Sequence, residues 1–208
     1  MFGNGLAICW SQIPSARKKR RIRRAIRHFP RPGAVLAEDE TDLLLFPPLR
    51  ANWSPRGVPA RVPISGRNAR RVVFGAMNLR TGKRLFLARQ HQRQQDFQAF
   101  LELIHQHYRG QHVALLLDEN SSHTANRSQQ LARELRIDLL WLPKRSPELN
   151  PMDKLWGQAK NVVSANLQYP TIDDHLQTFI EYLECLTNWE ARYTSGVLSS
   201  KFWLKSVL

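Results

Sequence analysis

The run His112-Val113-Ala114-Leu115-Leu116-Leu117, followed at once by Asp118, constrains this chain more than any other feature. A run this short suits a strand, and its unbroken apolarity means that both faces are covered, as in the centre of a helix-flanked sheet. An acid at the C-terminal end of such a strand leaves the interior there and points into a cleft.

The neighbouring segments supply the rest of a sheet and its helices. Ala34–Ala37 and Leu43–Phe46 read as short strands flanking the acidic stretch Glu38-Asp39-Glu40-Thr41-Asp42. Arg71–Met77 and Arg84–Ala88 read as a hairpin across Asn78–Lys83. Ile137–Leu142 is a further strand, Asp96–Tyr108 is an amphipathic helix, and Asn126–Leu135 is helical. Pro143–Pro151 is a proline-punctuated loop, and Asp153–Ala165 and Ile172–Trp189 are closing helices. The class is therefore α/β, a mixed sheet flanked by helices.

Charge bears on partners. Lys and Arg number 31 against 17 acids, a formal net charge of +14. An excess of this size favours polyanions and salt-sensitive contact with DNA or RNA. Nine basic residues fall between Arg17 and Arg31: Arg17, Lys18, Lys19, Arg20, Arg21, Arg23, Arg24, Arg27 and Arg31 itself. With Ile22 and Ile26 they allow a short helix with one apolar edge, a basic N-terminal arm that is either solvated or phosphate-binding. No apolar run is long enough to span a membrane. Cys9 and Cys185 follow no metal-ligand spacing and are read as reduced, intracellular thiols.

Three acids are placed to converge at one end of the sheet. Asp39 lies between two apolar segments, Asp118 ends the most apolar strand, and Asp153 opens a helix after a stiff loop. Carboxylates in that arrangement suit Mg²⁺ or Mn²⁺, with two ions about 4 Å apart serving phosphoryl transfer. Each acid also has a plainer role: Asp153 as a favourable charge at a helix start, Asp118 in a turn, Asp39 as one of four neighbouring acids. Charge alone does not choose among Glu38, Asp39, Glu40 and Asp42.

The choice is narrowed by a resemblance. Leu142-Pro143-Lys144-Arg145-Ser146-Pro147-Glu148-Leu149-Asn150-Pro151-Met152-Asp153-Lys154-Leu155-Trp156, with Lys160 beyond it, resembles the signature of the mariner-like superfamily of DDE/DDD transposases, which has a bacterial insertion-sequence branch. Asp118-Glu119-Asn120-Ser121-Ser122-His123 resembles its second-acid motif, and thirty-four residues lie between Asp118 and Asp153, similar to the family spacing. Asp39-Glu40, with Trp53 and Gly57 following, resembles its first-acid strand and turn. Two departures stand out: Glu119 occupies the place directly after the acid where relatives usually have Asn, and the third acid is Asp, as in the mariner branch.

The resemblance implies an RNase H-like fold and metal-dependent DNA strand cleavage and strand transfer, with Asp39, Asp118 and Asp153 as catalytic metal ligands. Asn120, His123 and Asn150 would stand behind them; His123 is equally a phosphate contact or a residue at a helix start. Lys144, Arg145, Lys154 and Lys160, with the basic arm, would hold the DNA backbone, or form a solvated face. The expected organisation is an arm or truncated linker over 1–32, a catalytic domain over 33–190 and a C-terminal tail over 191–208. Residues 1–32 are too short for the helix-turn-helix units of such proteins, so a catalytic portion alone is expected, from a truncated element or a split gene. Its partners would be transposon ends, target DNA, a second copy in a homodimer and a separate helix-turn-helix portion. Two rival readings are an inactive remnant that binds DNA through its basic face, and a basic nucleic-acid-binding protein with accidental acids.

Overall fold

A computed structural model describes residues 12–208, with side chains from Ala16 onward. Cys9 and the opening segment lie outside the described residues, whereas Cys185 is an exposed free thiol. The elements run α1 (Gln12–Arg27), β1 (Gly33–Leu44), β2 (Arg70–Asn78), β3 (Arg84–Arg89), α2 (Gln94–His107), β4 (His112–Leu117), α3 (Ser121–Thr124), α4 (Asn126–Glu134), β5 (Ile137–Trp141), α5 (Pro151–Ala159), α6 (Ile172–Cys185) and α7 (Asn188–Thr194). The five strands form one mixed sheet in the order β3-β2-β1-β4-β5. β4, the continuous apolar run, sits between β1 and β5, parallel to both.

Each strand feeds alternate side chains to two cores, as its period of two requires. Val35, Ala37 and Leu43 of β1 join Val73, Met77, Ala114 and Leu116 on one face, under α5 and α6. Ala34 and Leu36 join Val72, Phe74, Leu115 and Leu117 on the other, under α2. Phe97, Phe100, Leu101 and Ile104 are the buried stripe of α2, and the Asp96 carboxylate accepts the Arg93 N–H at 3.0 Å to close its first turn. Both segments outside 33–190 contribute to the first core: Ile22 and Ile26 from α1, one turn apart, and Ala191, Val197, Leu204 and Val207 from the C-terminal end.

Three elements differ from their sequence expectations. The strands expected at 34–37 and 43–46 are one strand, unbroken in its pairing with β2 from Leu36↔Asn78 to Leu44↔Arg70. Its acids are accommodated because alternation sends them to opposite faces instead of ending the ladder. The helix expected over 153–165 is α-helical to Ala159 and then widens into a π turn over Lys160–Ser164. That turn buries Val163 and Ser164, and the Ser164 hydroxyl meets His175 Nε2 of α6 at 2.7 Å. The helix expected over 172–189 breaks at Leu186, whose ψ of 132° is extended. Thr187 restarts it: its hydroxyl accepts the Glu190 N–H while the Glu190 carboxylate accepts the Thr187 N–H.

Candidate active site

The parallel register fixes the first relation between the acids. β1 pairs with β4 up to Ala37↔Leu116, so Asp39 lies level with Asp118, just past the end of β4. Alternation fixes the second. Asp39 follows Val35 and Ala37 onto the face that carries α5, whereas Glu38 and Glu40 follow Ala34 and Leu36 onto the face of α2 and α3. The side chains themselves thus separate Asp39 from its acidic neighbours, a choice that charge had left open.

The third acid comes from the loop. Asn150 caps α5 by accepting the Met152 N–H through Oδ1, at 3.1 Å, and its Nδ2 donates to the Glu38 carbonyl at 2.7 Å. One amide therefore fastens the start of α5 to β1 beside Asp39. Pro151 takes the first helical position, where its missing N–H costs nothing. Met152, Leu155, Trp156 and Ala159 are buried, which leaves Asp153 on the open side of the first turn. Gly75, the residue of β2 paired with Asp39, makes this approach possible. A Cβ there would lie 2.5 Å from the Trp156 ring and 2.9 Å from Met152 Cε.

The result is a cleft of about 550 Å³ whose walls include Asp39, Asp118 and Asp153, with Asn120, Asn150, Lys144 and Arg145 around them. Burial, then the charges of Glu40, Asp118 and Asp153, push the Asp39 carboxyl up to about 7. Asp118 is held below the ordinary carboxylate range, chiefly by its hydrogen bond with His123. Three carboxylates gathered in one cleft, with no soft ligand among them, fit a hard divalent cation.

Behind the cleft lies a buried cluster. His123 Nδ1 is 3.0 Å from Asp118 Oδ1, and Nε2 is 2.8 Å from Glu40 Oε1 and 3.8 Å from Glu38 Oε2. The ring packs 4.3 Å from that of Phe97, centroid to centroid. Ligand atoms of Glu38, Glu40 and His123 all lie within 4.8 Å of one another, a second arrangement of metal-ligand type. Burial pulls the imidazole down, but Glu38, Asp118 and Glu40 outweigh it and push His123 up to about 11. Set between Glu40 and Asp118, a protonated His123 makes the cluster an ion-paired buttress. Burial, then Glu40, raises Glu38 above the usual carboxylate range, while the His123 charge opposes this. The fully buried ring cannot reach a phosphate, which removes that alternative for His123.

The expected DNA-contact residues divide. Lys144 and Arg145 line the cleft. Lys18 and Lys144 both pair with Glu119, Lys144 at 3.5 Å, so Glu119 joins the arm to the cleft loop. Arg23 donates to the Trp203 carbonyl at 2.8 Å. Arg17, Arg20, Arg21 and Arg24 are exposed, and Lys19 is half-buried. Lys154 is turned away from the acids, against Gly196. Lys160 is half-buried beside Asp42; burial lowers its pKa against the opposing charges of Asp42, Asp39 and Asp153. Asn120 caps α3, accepting the Ser122 N–H at 3.2 Å, and its own N–H donates to Asp118 Oδ1 at 3.0 Å. Sequence reasoning named Glu40 only as an alternative to Asp39 and did not single out Gly75. The alternation of β1 was the available signal for Glu40; the role of Gly75 needs the three-dimensional approach of Trp156.

Comparison with known proteins agrees with this geometry. Residues 34–175 match the family model described as DDE superfamily endonuclease. The chain is 25% identical over 155 residues to the insertion element IS630 uncharacterized 39 kDa protein of Shigella sonnei, covering 74% of this chain and 45% of that protein. It is 35% identical over 82 residues to the transposable element Tc3 transposase of Caenorhabditis elegans, covering 37% of this chain and 25% of that one. The chain therefore spans less than half the length of these relatives. Among solved structures, the Mos1 transposase paired-end complex with left transposon end superposes with a TM-score of 0.71 at 14% identity, over 100% of this chain and 65% of that one. The catalytic domain of Mos1 mariner transposase superposes with a TM-score of 0.66 at 12% identity, over 100% and 98% of the respective chains. The fold is that of this RNase H-like domain.

Proposed function

Because the chain belongs to the DDE superfamily endonucleases, we propose that it is a transposase catalytic domain that cleaves DNA strands and transfers them to a target. One observation carries this reading: register, alternation and the Asn150 bridge bring Asp39, Asp118 and Asp153 to the walls of a single cleft. Residues 33–190 are taken as the catalytic unit, with α1 and the C-terminal segment packed onto it.

Asp39, Asp118 and Asp153 would hold Mg²⁺ or Mn²⁺, two ions in the full reaction. Such ions, when bound, activate a water or a 3′-hydroxyl and stabilise the leaving oxygen. The chain's own side chains do the positioning. His123 holds Asp118 in one orientation and keeps it ionised. Asn150 sets the start of α5, and so Asp153, against β1. Lys144 and Arg145 offer positive charge at the lip, where a phosphodiester would enter. The basic outer face of α1 adds contacts that fix the duplex without reading its sequence.

The substrates on this reading are transposon ends and target DNA, handled by a homodimer with a helix-turn-helix portion reading the ends. Action on DNA places it with the nucleoid in a bacterial cytoplasm; among the described residues, no helix is long and apolar enough to cross a membrane. The test is nicking of a labelled duplex in Mn²⁺ by the parent chain, Asp118→Asn and Asp153→Asn. Cleavage by the parent that disappears in both variants is the expected result. Salt-sensitive binding without metal-dependent cleavage would sink the catalytic reading and leave a DNA-binding remnant.

A further inference from the structure

The end of the sheet opposite the acids carries a second polar cavity, of about 840 Å³, where β1 begins and the β2–β3 hairpin turns. Its walls include Arg31, Arg80, Arg192 and Lys205 and no acidic side chain. Among the described residues, none of these four lies within 4.0 Å of a carboxylate. They come from three separate stretches of chain, so neither one helix face nor one charged run accounts for their meeting.

Two of the four are built in. Arg80 spends one terminal nitrogen on the Gly33 carbonyl at 2.9 Å, yet its Nε is buried without a partner, and so is Nε of Arg192. An orphaned buried donor costs about 1–3 kcal/mol unless a water or an anion meets it. Burial, then the charge of Arg31, lowers the Arg80 pKa. The cavity continues into another of about 430 Å³, which shares Arg31, adds Arg136 and His112, and also has no acidic lining. Gly33 and Asp39 are six residues apart on β1, so this basic groove lies roughly 20 Å from the acidic cleft at about 3.3 Å per residue.

We propose that this groove is a phosphate-binding site, separate from the cleft, in which the guanidiniums of Arg80 and Arg192 grip a phosphate and Arg31 and Lys205 add charge at its mouth. Guanidinium forks match phosphate oxygens in shape as well as charge. The phosphate belongs either to a nucleic-acid backbone running along the groove or to a free phosphorylated molecule. The inference does not depend on whether the cleft cleaves DNA.

The experiment uses the whole chain in EDTA, which silences the acidic cleft. Pyrophosphate is titrated against chloride at constant ionic strength while the melting temperature is followed. Saturating pyrophosphate should raise it by roughly 5 °C, and the rise should vanish in Arg80→Gln/Arg192→Gln. Because that pair also packs internally, Arg31→Gln/Lys205→Gln, altered only at exposed positions, should lose most of the rise with an unchanged melting point in chloride. A second arm measures duplex binding against salt. A slope smaller by about 2 in Arg31→Gln/Lys205→Gln assigns the site to a nucleic-acid backbone. An unchanged slope with pyrophosphate binding lost assigns it to a free phosphate ligand. No rise with pyrophosphate, or a rise that survives both double substitutions, overturns the proposal.

Discussion

Replacing Asp39 by Asn should make the metal-free protein more stable at alkaline pH. Asp39 titrates near 7 in the fold, against 3.8 for an unperturbed aspartate, because it is largely buried and faces Glu40, Asp118 and Asp153. A raised carboxyl pKa means that the native state holds a proton the unfolded chain has already lost. Stability is therefore greatest below pH 3.8, falls as pH rises toward 7, and levels off above it. At about 1.4 kcal/mol per pKa unit, the gap gives a ceiling of about 4 kcal/mol. Between pH 5 and pH 8 this one group should remove about 2.5 kcal/mol.

Urea unfolding in EDTA at those two pH values measures it. The stability difference, Asp39→Asn minus parent, should widen by about 2.5 kcal/mol from pH 5 to pH 8, since the amide cannot ionise. Adding Mg²⁺ at pH 8 should then stabilise the parent and leave the variant nearly unmoved. Comparing the two proteins cancels the titrating groups that Asp39 does not influence. A constant difference across pH, or one that narrows from pH 5 to pH 8, would show that the cleft carboxylates do not crowd one another as described.

Three further substitutions probe how the cleft is held. His123→Ala strips the cation from between Glu38, Glu40 and Asp118; urea unfolding at pH 7 should show a loss of about 3 kcal/mol, and a loss under 1 kcal/mol would contradict the ion-paired buttress. Gly75→Ala drives a methyl into Trp156 and Met152, so α5 must lift from the sheet at a cost of about 1–3 kcal/mol. Nicking in Mn²⁺ should fall in that variant more than duplex binding does, because Asp153 moves while the basic face stays. Asn150→Ala removes the bond to the Glu38 carbonyl and the cap of α5, for about 1–2 kcal/mol. Its nicking should drop at least tenfold, and unchanged nicking would mean that the loop places Asp153 without this amide.

What the sequence made legible were the strong periodic signals. β4 was readable to the residue because nothing but a doubly covered strand suits His112–Leu117. The hairpin, α2, α4 and the meeting of the three acids followed from pattern and motif. β1 was misread because an acidic stretch looks like a break, and only its pairing with β2 shows that Glu38 and Glu40 serve the other face. The break between α6 and α7 was written in Thr187-Asn188-Trp189-Glu190, a capping box inside an otherwise helical pattern. Gly75 could not have been found this way, since its importance lies in what Trp156 does from another element.

The same distinction applies to charge. A net charge of +14 suggests a uniformly basic surface, yet several of those cations tie elements of the fold together. Arg71 ties β2 to Asp173 of α6 at 2.8 Å, Arg84 reaches the Leu186 and Thr187 carbonyls between α6 and α7, and Arg23 holds the C-terminal segment to α1. Lys18 and Lys144 are partly spent on Glu119. Ile22 and Ile26 turn inward on α1 and so present Arg17, Arg20, Arg21, Arg24 and Arg27 outward, where no described acid pairs with them. The charge available to a polyanion is thus fewer cations than the formula counts, and it includes those on the outer face of α1, at the cleft lip and in the groove at the far end of the sheet. Counterion release scales with the phosphates neutralised, so the salt response of DNA binding follows the cations that meet the backbone and not the net charge.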